Sequence, residues 1–381
     1  MSGRSGPGPS TYLDWNATAL LRPEAVVAMT AALERWGNPS SVHRWGRGAR
    51  RMVEDSRAAV AAMIGALPEN VVFGSGGTEA NHLALRGAGR ERVLASAVEH
   101  DSVLRAVPEA ERIPVDHHGL VQLDALATML ASEDRPALVS VMLANNETGV
   151  IQPVAEIAAL AHAHGALFHC DAVQAAGKLS LDTVEIDADL LTLSAHKLGG
   201  PPGVGALVLA AGVELTPIFC GGGQERGRRA GTENILGIVG FGAAARVAKA
   251  EITLNQHVRR LRDALEAEII AAGPEAIVVG GDVPRLPNTA AIAMPAMSAE
   301  TQVIALDLDG VMVSAGAACS SGKVGPSHVL AAMGVPVEIA SSTIRVSLGW
   351  STTEDDIDRF IHSWTALYRR RRSFFQEARA A

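Results

Sequence analysis

The stretch "ADLLTLSAHKLGGPPGVGALVLA", residues 188–210, sets two short apolar runs on either side of a polar and then Gly/Pro-rich connection. Each run is too short for a buried helix and is rich in Leu and Val, which predicts two strands covered on both faces. Lys197 falls just past the first strand, with Ser194 and His196 beside it, and Gly199 and Gly200 follow, leaving backbone room for a bound group. Working outward, "NVVF" (70–73), "ALVSVMLA" (137–144) and "ALFHC" (166–170) have the same character. Between the last two lies "PVAEIAALAHAHG" (153–165), with Pro153 where a helix would start and Gly165 where it would stop. Strands alternating with helices predict βαβ units and a mainly parallel sheet flanked by helices, an α/β fold.

Ligands of such sheets bind beyond the carboxyl ends of the strands, so the polar residues there are the candidates. After "VVF" comes "GSGGTEANHLAL" (74–85), where Gly74, Gly76 and Gly77 lead through Thr78 into a helical pattern. A helix start of this kind offers N–H groups to an anion, and Thr78 adds a hydroxyl. The spacing partly mimics a dinucleotide fingerprint, but Glu79 stands where its last glycine belongs. Asp171 ends the "ALFHC" run, with Gln174 three residues on. A phosphate cradle, a carboxylate and a lysine on neighbouring strand ends are what pyridoxal 5'-phosphate requires: an anchor, a partner for the pyridinium nitrogen and a Schiff-base amine.

The chain has 381 residues, of which 48% are hydrophobic, enough for a large core or two domains. Its formal charge of −8, from 33 basic and 41 acidic residues, speaks against a nucleic-acid surface. No apolar run approaches a membrane span and no cleavable leader is visible, so the expectation is a cytoplasmic protein with no membrane contact. Three cysteines, Cys170, Cys220 and Cys319, match no zinc or iron–sulfur ligand spacing, so no metal site within one chain is expected. Cys170 lies in an apolar strand and Cys220 before a triple glycine, both read as structural. Cys319 differs. It sits in "VSAGAACSSGKVGP" (313–326), among Gly, Ala and Ser with nothing bulky beside it, a composition that predicts an exposed loop and a free thiol.

Organisation follows. Residues 1–10 read as a disordered tail, 11–245 as a large cofactor-binding domain, and 246–381 as a smaller α+β domain carrying the cysteine loop. Residues 243–272 read as one long connecting helix, and the solvated histidines His117, His118, His162 and His164 as ordinary surface groups.

The ordered motifs "YLDWNATA" (12–19), "GNPSSVHRWG" (37–46), "GSGGTEANHLAL", "ANNETG" (144–149), "HCDAVQAAGK" (169–178), "SAHKLGGPPG" (194–203), "GGGQERGRRAGTEN" (221–234), "SAGAACSSG" (314–322) and "SSTIRVSLG" (341–349) run through nearly the whole chain. In them the chain resembles the cysteine desulfurases of the class V aminotransferase group, in the branch of nitrogen-fixation and iron–sulfur assembly enzymes. The resemblance implies a pyridoxal-phosphate fold of type I and a homodimer. It implies that Lys197 joins the cofactor covalently, that Asp171 holds its ring nitrogen, and that His100 stacks on the ring and moves protons. Gln174 and Asn146 would contact the ring-oxygen region, and Gly77, Thr78, Ser194 and His196 the phosphate, with Thr232 arriving from the other subunit. Asn146 and Arg345 would bind substrate, Arg345 gripping its carboxylate. Cys319 would take sulfur from L-cysteine, leaving L-alanine and a persulfide for a sulfur-acceptor or scaffold protein, with which it could transiently share a cluster. That sulfur would supply iron–sulfur assembly or nitrogenase. Ala195, Ala315 and Ala317 depart from the glycine and serines common in the family, which bears on loop hydrogen bonding. Alternatives are a selenocysteine lyase, another enzyme of the same fold type, and a non-catalytic assembly scaffold.

Overall fold

The computed structural model of the chain describes residues 10–35, 37–316 and 327–380, with side chains through Arg371. Cys319, and the loop reading built on it, lie outside the described residues.

The central sheet is formed by β1 (Val71–Gly74), β2 (Arg92–Ser96), β3 (Glu111–Ile113), β4 (Ala137–Ser140), β5 (Leu167–Asp171), β6 (Leu190–Ser194) and β7 (Gly205–Leu209). Their spatial order is β1-β7-β6-β5-β4-β2-β3. Strands β2, β4, β5 and β6 are buried on nearly every residue, as strands covered by helices on both faces must be, whereas the edge strand β3 buries only Ile113. Pairing is parallel except around β7, which is antiparallel to both β1 and β6. The connection from Ser194 to Gly205 is too short for a crossover helix, so the chain can only turn back. The loop after "VGALVLA" therefore leaves from the opposite end of the sheet, and this one of the five strand ends carries no site residue.

The predicted helix over 243–272 is two helices, Ile235–Ala250 and Asn255–Ala272, separated by a short 3-10 turn at Ile252–Leu254. The Asn255 side chain is the reason that can be named: its Nδ2 donates to the Ile252 carbonyl at 3.2 Å and to the Gly177 carbonyl at 3.1 Å, competing with the helical ladder.

A second, antiparallel sheet is made of β8 (Ile277–Val279), β9 (Thr289–Ala293), β10 (Ser314–Ala315) and β11 (Thr343–Ser347), in the order β10-β11-β9-β8. Its core joins Ile292, Ile344 and Val346 to Leu265 and Ile269 of the Asn255–Ala272 helix and to Phe360 and Trp364 of the Glu354–Ala380 helix. Leu13, near the start of the chain, is fully buried in the same core. Thr11–Tyr12 pairs parallel with Val311–Met312, and Asp14 bridges Ser347. The N-terminal segment thus forms a separate two-stranded sheet with Val311–Met312, meets the second sheet at Ser347 and runs on toward the ends of β5 and β6.

Candidate active site

A cavity of about 310 Å³ opens where the ends of β1, β5 and β6 face β11. It is lined by Gly77, Thr78, His100, Asn146, Asp171, Gln174, Ser194, His196, Lys197 and Arg345, so strand ends and one sheet-to-sheet meeting bring together ten of the residues singled out in the sequence. Thr232 is not among them. It borders a separate depression of about 100 Å³ with Glu225 and Arg229.

The cradle begins at Gly77, first residue of the helix Gly77–Gly87. Its glycines answer to close packing: a Cβ on Gly205 would lie 2.6 Å from the Gly76 carbonyl carbon, and one on Gly77 2.9 Å from Val173 Cγ2. The helix start therefore sits directly on the ends of β5 and β6 and the beginning of β7, and its Gly77 and Thr78 line the cavity. Beside it, Ser194 Oγ is buried and has no hydrogen-bond partner among the described residues. An orphaned hydroxyl beside a helix start is what an anion such as phosphate would satisfy.

Asp171 is 6% exposed and held at both oxygens: Oδ1 accepts from the Val173 N–H at 2.9 Å and Oδ2 from Asn81 Nδ2 at 2.8 Å. Asn81 also donates to Ser102 Oγ at 2.8 Å, and Ser102 Oγ lies 2.8 Å from His100 Nδ1. His100 Nδ1 accepts from the Ser102 N–H as well, at 3.0 Å, which leaves the neutral ring its proton on Nε2. Burial pushes His100 below the usual imidazole range, so the neutral ring is favoured near pH 7. His196 is likewise depressed, to about 4, by burial and by the charges of Lys197 and Lys178. Behind this layer Glu99 is fully buried, and burial, with the nearby Asp171 charge, raises its carboxyl well above the ordinary range.

Lys197 Nζ donates to the Asn16 carbonyl at 2.7 Å and the Ala17 carbonyl at 2.9 Å. Gln174 is fixed at both ends, its Nε2 donating to the Asn16 carbonyl at 3.0 Å and its Oε1 accepting from Lys178 Nζ at 2.7 Å. Arg345, 3% exposed, donates through Nη2 to Asp14 Oδ1 at 2.7 Å and through Nη1 to the Asn146 carbonyl at 3.1 Å, while its buried Nε has no partner among the described residues. Asn81, Ser102 and Lys178 are not among the residues predicted for the site, whereas Asn16 belongs to the "DWNAT" stretch (14–18) that the sequence reading places on the site wall. Asn81 was legible in principle: it lies four residues after Gly77 and so on the same helical face.

With this geometry in view, the chain belongs to the aminotransferase class V family, which it matches over residues 11–360. Its fold is that of the fold type I enzymes that use pyridoxal 5'-phosphate. Among curated relatives, the cysteine desulfurase of Cereibacter sphaeroides is 47% identical over 92% of this chain and 93% of its own length. The cysteine desulfurase IscS of Dictyoglomus turgidum is 40% identical over 91% of each chain. Among solved structures, a NifS-like protein from Rickettsia africae matches with a TM-score of 0.88 at 35% identity, covering 95% of this chain and 100% of that one.

The residues present fit the cofactor. The orphaned Ser194 hydroxyl and the helix start suit its phosphate, the doubly held Asp171 suits a protonated ring nitrogen, and the Lys197 amine lines the space between them. Two described cysteines fall outside the site. Burial pushes the Cys170 thiol well up, away from a reactive thiolate, and Cys220 is exposed with its thiol directed at the Pro217 carbonyl. Among the described residues no group of three or more His, Cys, Asp or Glu is placed to hold a metal, and no helix is long and apolar enough to cross a membrane.

Proposed function

We propose that the protein is a pyridoxal-phosphate-dependent cysteine desulfurase that converts L-cysteine to L-alanine and leaves the sulfur as a persulfide on Cys319. The observation that carries this reading is the arrangement of Lys197, Asp171 and Arg345 around one cavity, in a chain 47% identical to a cysteine desulfurase over most of its length. When bound, the cofactor supplies an electron sink for the α-carbon of an amino acid. The chain supplies the rest. Asp171 keeps the ring nitrogen protonated, and the cradle of Gly77, Thr78, Ser194 and His196 holds the phosphate. Arg345 takes the substrate carboxylate in its planar fork, for which its Nε, without a partner among the described residues, is available. The Lys197 amine is the base for the α-proton, and His100, neutral near pH 7, carries its proton on Nε2 for transfer. The Cys319 thiolate attacks the substrate sulfur. The carbon–sulfur bond breaks as the sulfur–sulfur bond forms, its electron pair stays on the carbon, and protonation there gives alanine.

The family resemblance supports the further parts of the reading. These are a cytoplasmic homodimer in which Thr232 completes the partner's phosphate site, a large domain over 11–245 and a smaller one over 246–381, and delivery of sulfur to a scaffold protein for iron–sulfur clusters. Replacing Lys197 with Ala tests the core of it. The variant should lose the absorbance of the bound cofactor and all release of alanine, and alanine at the parental rate would refute the assignment of Lys197.

A further inference from the structure

Three residues near the start of the chain, Asp14, Asn16 and Ala17, touch the two chemical ends of the site. Asp14 holds Arg345 Nη2 at 2.7 Å, while the carbonyls of Asn16 and Ala17 hold Lys197 Nζ at 2.7 and 2.9 Å. Between them Asn16 makes the cross-link. Its Nδ2 donates to the Asn146 carbonyl at 3.2 Å, the same oxygen that accepts from Arg345 Nη1 at 3.1 Å. The amine and the guanidinium are therefore joined through two residues. Every polar atom of Asn16 is engaged: its Nδ2 also donates to Thr289 Oγ1 at 2.9 Å, its Oδ1 accepts from Lys178 Nζ at 2.9 Å and Asn288 Nδ2 at 3.0 Å, and its N–H donates to Ser347 Oγ at 2.9 Å. The side chain is 1% exposed.

The segment is seated from outside as well. Trp15 lies so close over Gly349 that a Cβ there would collide with its ring, and its indole meets Trp350 edge-on at 5.7 Å. Tyr12 Oη donates to the Asp14 carbonyl at 3.2 Å and the Thr18 carbonyl at 2.9 Å, closing the segment on itself. Few ways are left for Asp14 and Asn16 to shift relative to one another.

We infer that Asp14–Ala17 is a strap that fixes the separation between the Lys197 amine and the Arg345 guanidinium, with Asn16 as the positioning residue that selects ligands whose amine and carboxylate share one carbon. This rests on the reading in which Lys197 carries the cofactor and Arg345 binds the substrate carboxylate. A ligand is then held at its carboxylate by Arg345 and at its amine where Lys197 joins the cofactor at rest, two points whose spacing the strap sets. Inserting one methylene between amine and carboxylate misplaces one end by about 1 Å, which in a site of this kind costs on the order of 100-fold. Loosening the strap should relax that penalty.

The test compares L-alanine with β-alanine, its isomer with one more carbon between the two groups, as ligands of the cofactor-loaded protein. Binding is read from the change in cofactor absorbance. Asn16→Ala and the milder Asn16→Ser both keep the main-chain carbonyl that holds Lys197, and remove the link to Asn146. Wild type should prefer L-alanine strongly, and both variants should narrow that preference by about tenfold or more while taking up cofactor in the same stoichiometry. Should Asn16→Ala not fold, Asn16→Ser carries the comparison alone. A preference unchanged in the variants, or both ligands weakened alike, overturns the strap. A wild-type protein that takes up no pyridoxal phosphate overturns the functional reading and the strap with it, and is told apart by its lack of colour.

Discussion

Replacing Asp171 with Asn probes the cofactor site with little change in shape. In the wild type both carboxylate oxygens accept a hydrogen bond, from Val173 N–H at 2.9 Å and Asn81 Nδ2 at 2.8 Å. An amide has one oxygen, so one of those donors must face an NH2 group, and the buried donor left without an acceptor costs about 1–3 kcal/mol. The charge that would pair with a protonated ring nitrogen is also gone, and a hydrogen bond to a charged group is worth about 1.5–3 kcal/mol. At about 1.4 kcal/mol per factor of ten, the second loss alone weakens cofactor retention roughly 10- to 150-fold. The assay is absorbance titration of the cofactor-free protein with pyridoxal phosphate, paired with the rate of alanine release. Affinity and rate both at parental values in Asp171→Asn would refute the assignment of this carboxylate.

Two further predictions concern the frame around the site. Arg57 and Glu225 form a buried pair with two bonds of 2.7 and 2.8 Å, and Glu225 also accepts from the Phe73 N–H at 2.9 Å, so Glu225→Ala should destabilise the protein by about 3–5 kcal/mol in urea unfolding. A loss below about 1 kcal/mol would contradict this. His169, fully buried between Ser140 Oγ and Thr192 Oγ1, is pushed by burial from 6.5 to about 4. The unfolded chain binds the extra proton first, so the stability due to this depressed group is whole above about pH 6.5 and is lost as pH falls toward 4, by roughly 3 kcal/mol at most. His169→Gln should unfold with a shallower pH dependence across that window, and an unchanged slope would count against a neutral buried His169.

The parts of the site legible in the sequence are those fixed by local rules. Asp171 ends one apolar strand run and Lys197 lies three residues past another, and Gly77 and Thr78 open a helical pattern, so their convergence follows from the topology of a parallel sheet. The direction of β7 is not legible in its own apolar run, which reads the same both ways, but in the shortness of the connection before it. Asn81 and Ser102 escaped for a different reason. Their roles arise where a helix face meets a strand end, 21 residues apart in the chain. Asn16 depends on partners still more distant, up to 331 residues away at Ser347, and no pattern around "DWNAT" discloses them. The single predicted helix over 243–272 is two helices because, although Ile252 and Leu254 continue the apolar spacing, the Asn255 side chain donates to the Ile252 carbonyl there and to the Gly177 carbonyl outside it.

The central claim is that sulfur leaves L-cysteine onto one thiol of this chain. The direct measurement incubates the purified, cofactor-loaded protein with L-cysteine and follows two products together: free L-alanine, and the mass of each cysteine-containing peptide. In a single turnover without an acceptor, the account predicts one alanine per site and one added sulfur on the Cys319 peptide, with none on Cys170 or Cys220. Cys319→Ser should keep the cofactor absorbance and lose both products. Alanine formed by Cys319→Ser at the parental rate, or added sulfur found on Cys170 or Cys220 instead, would contradict it.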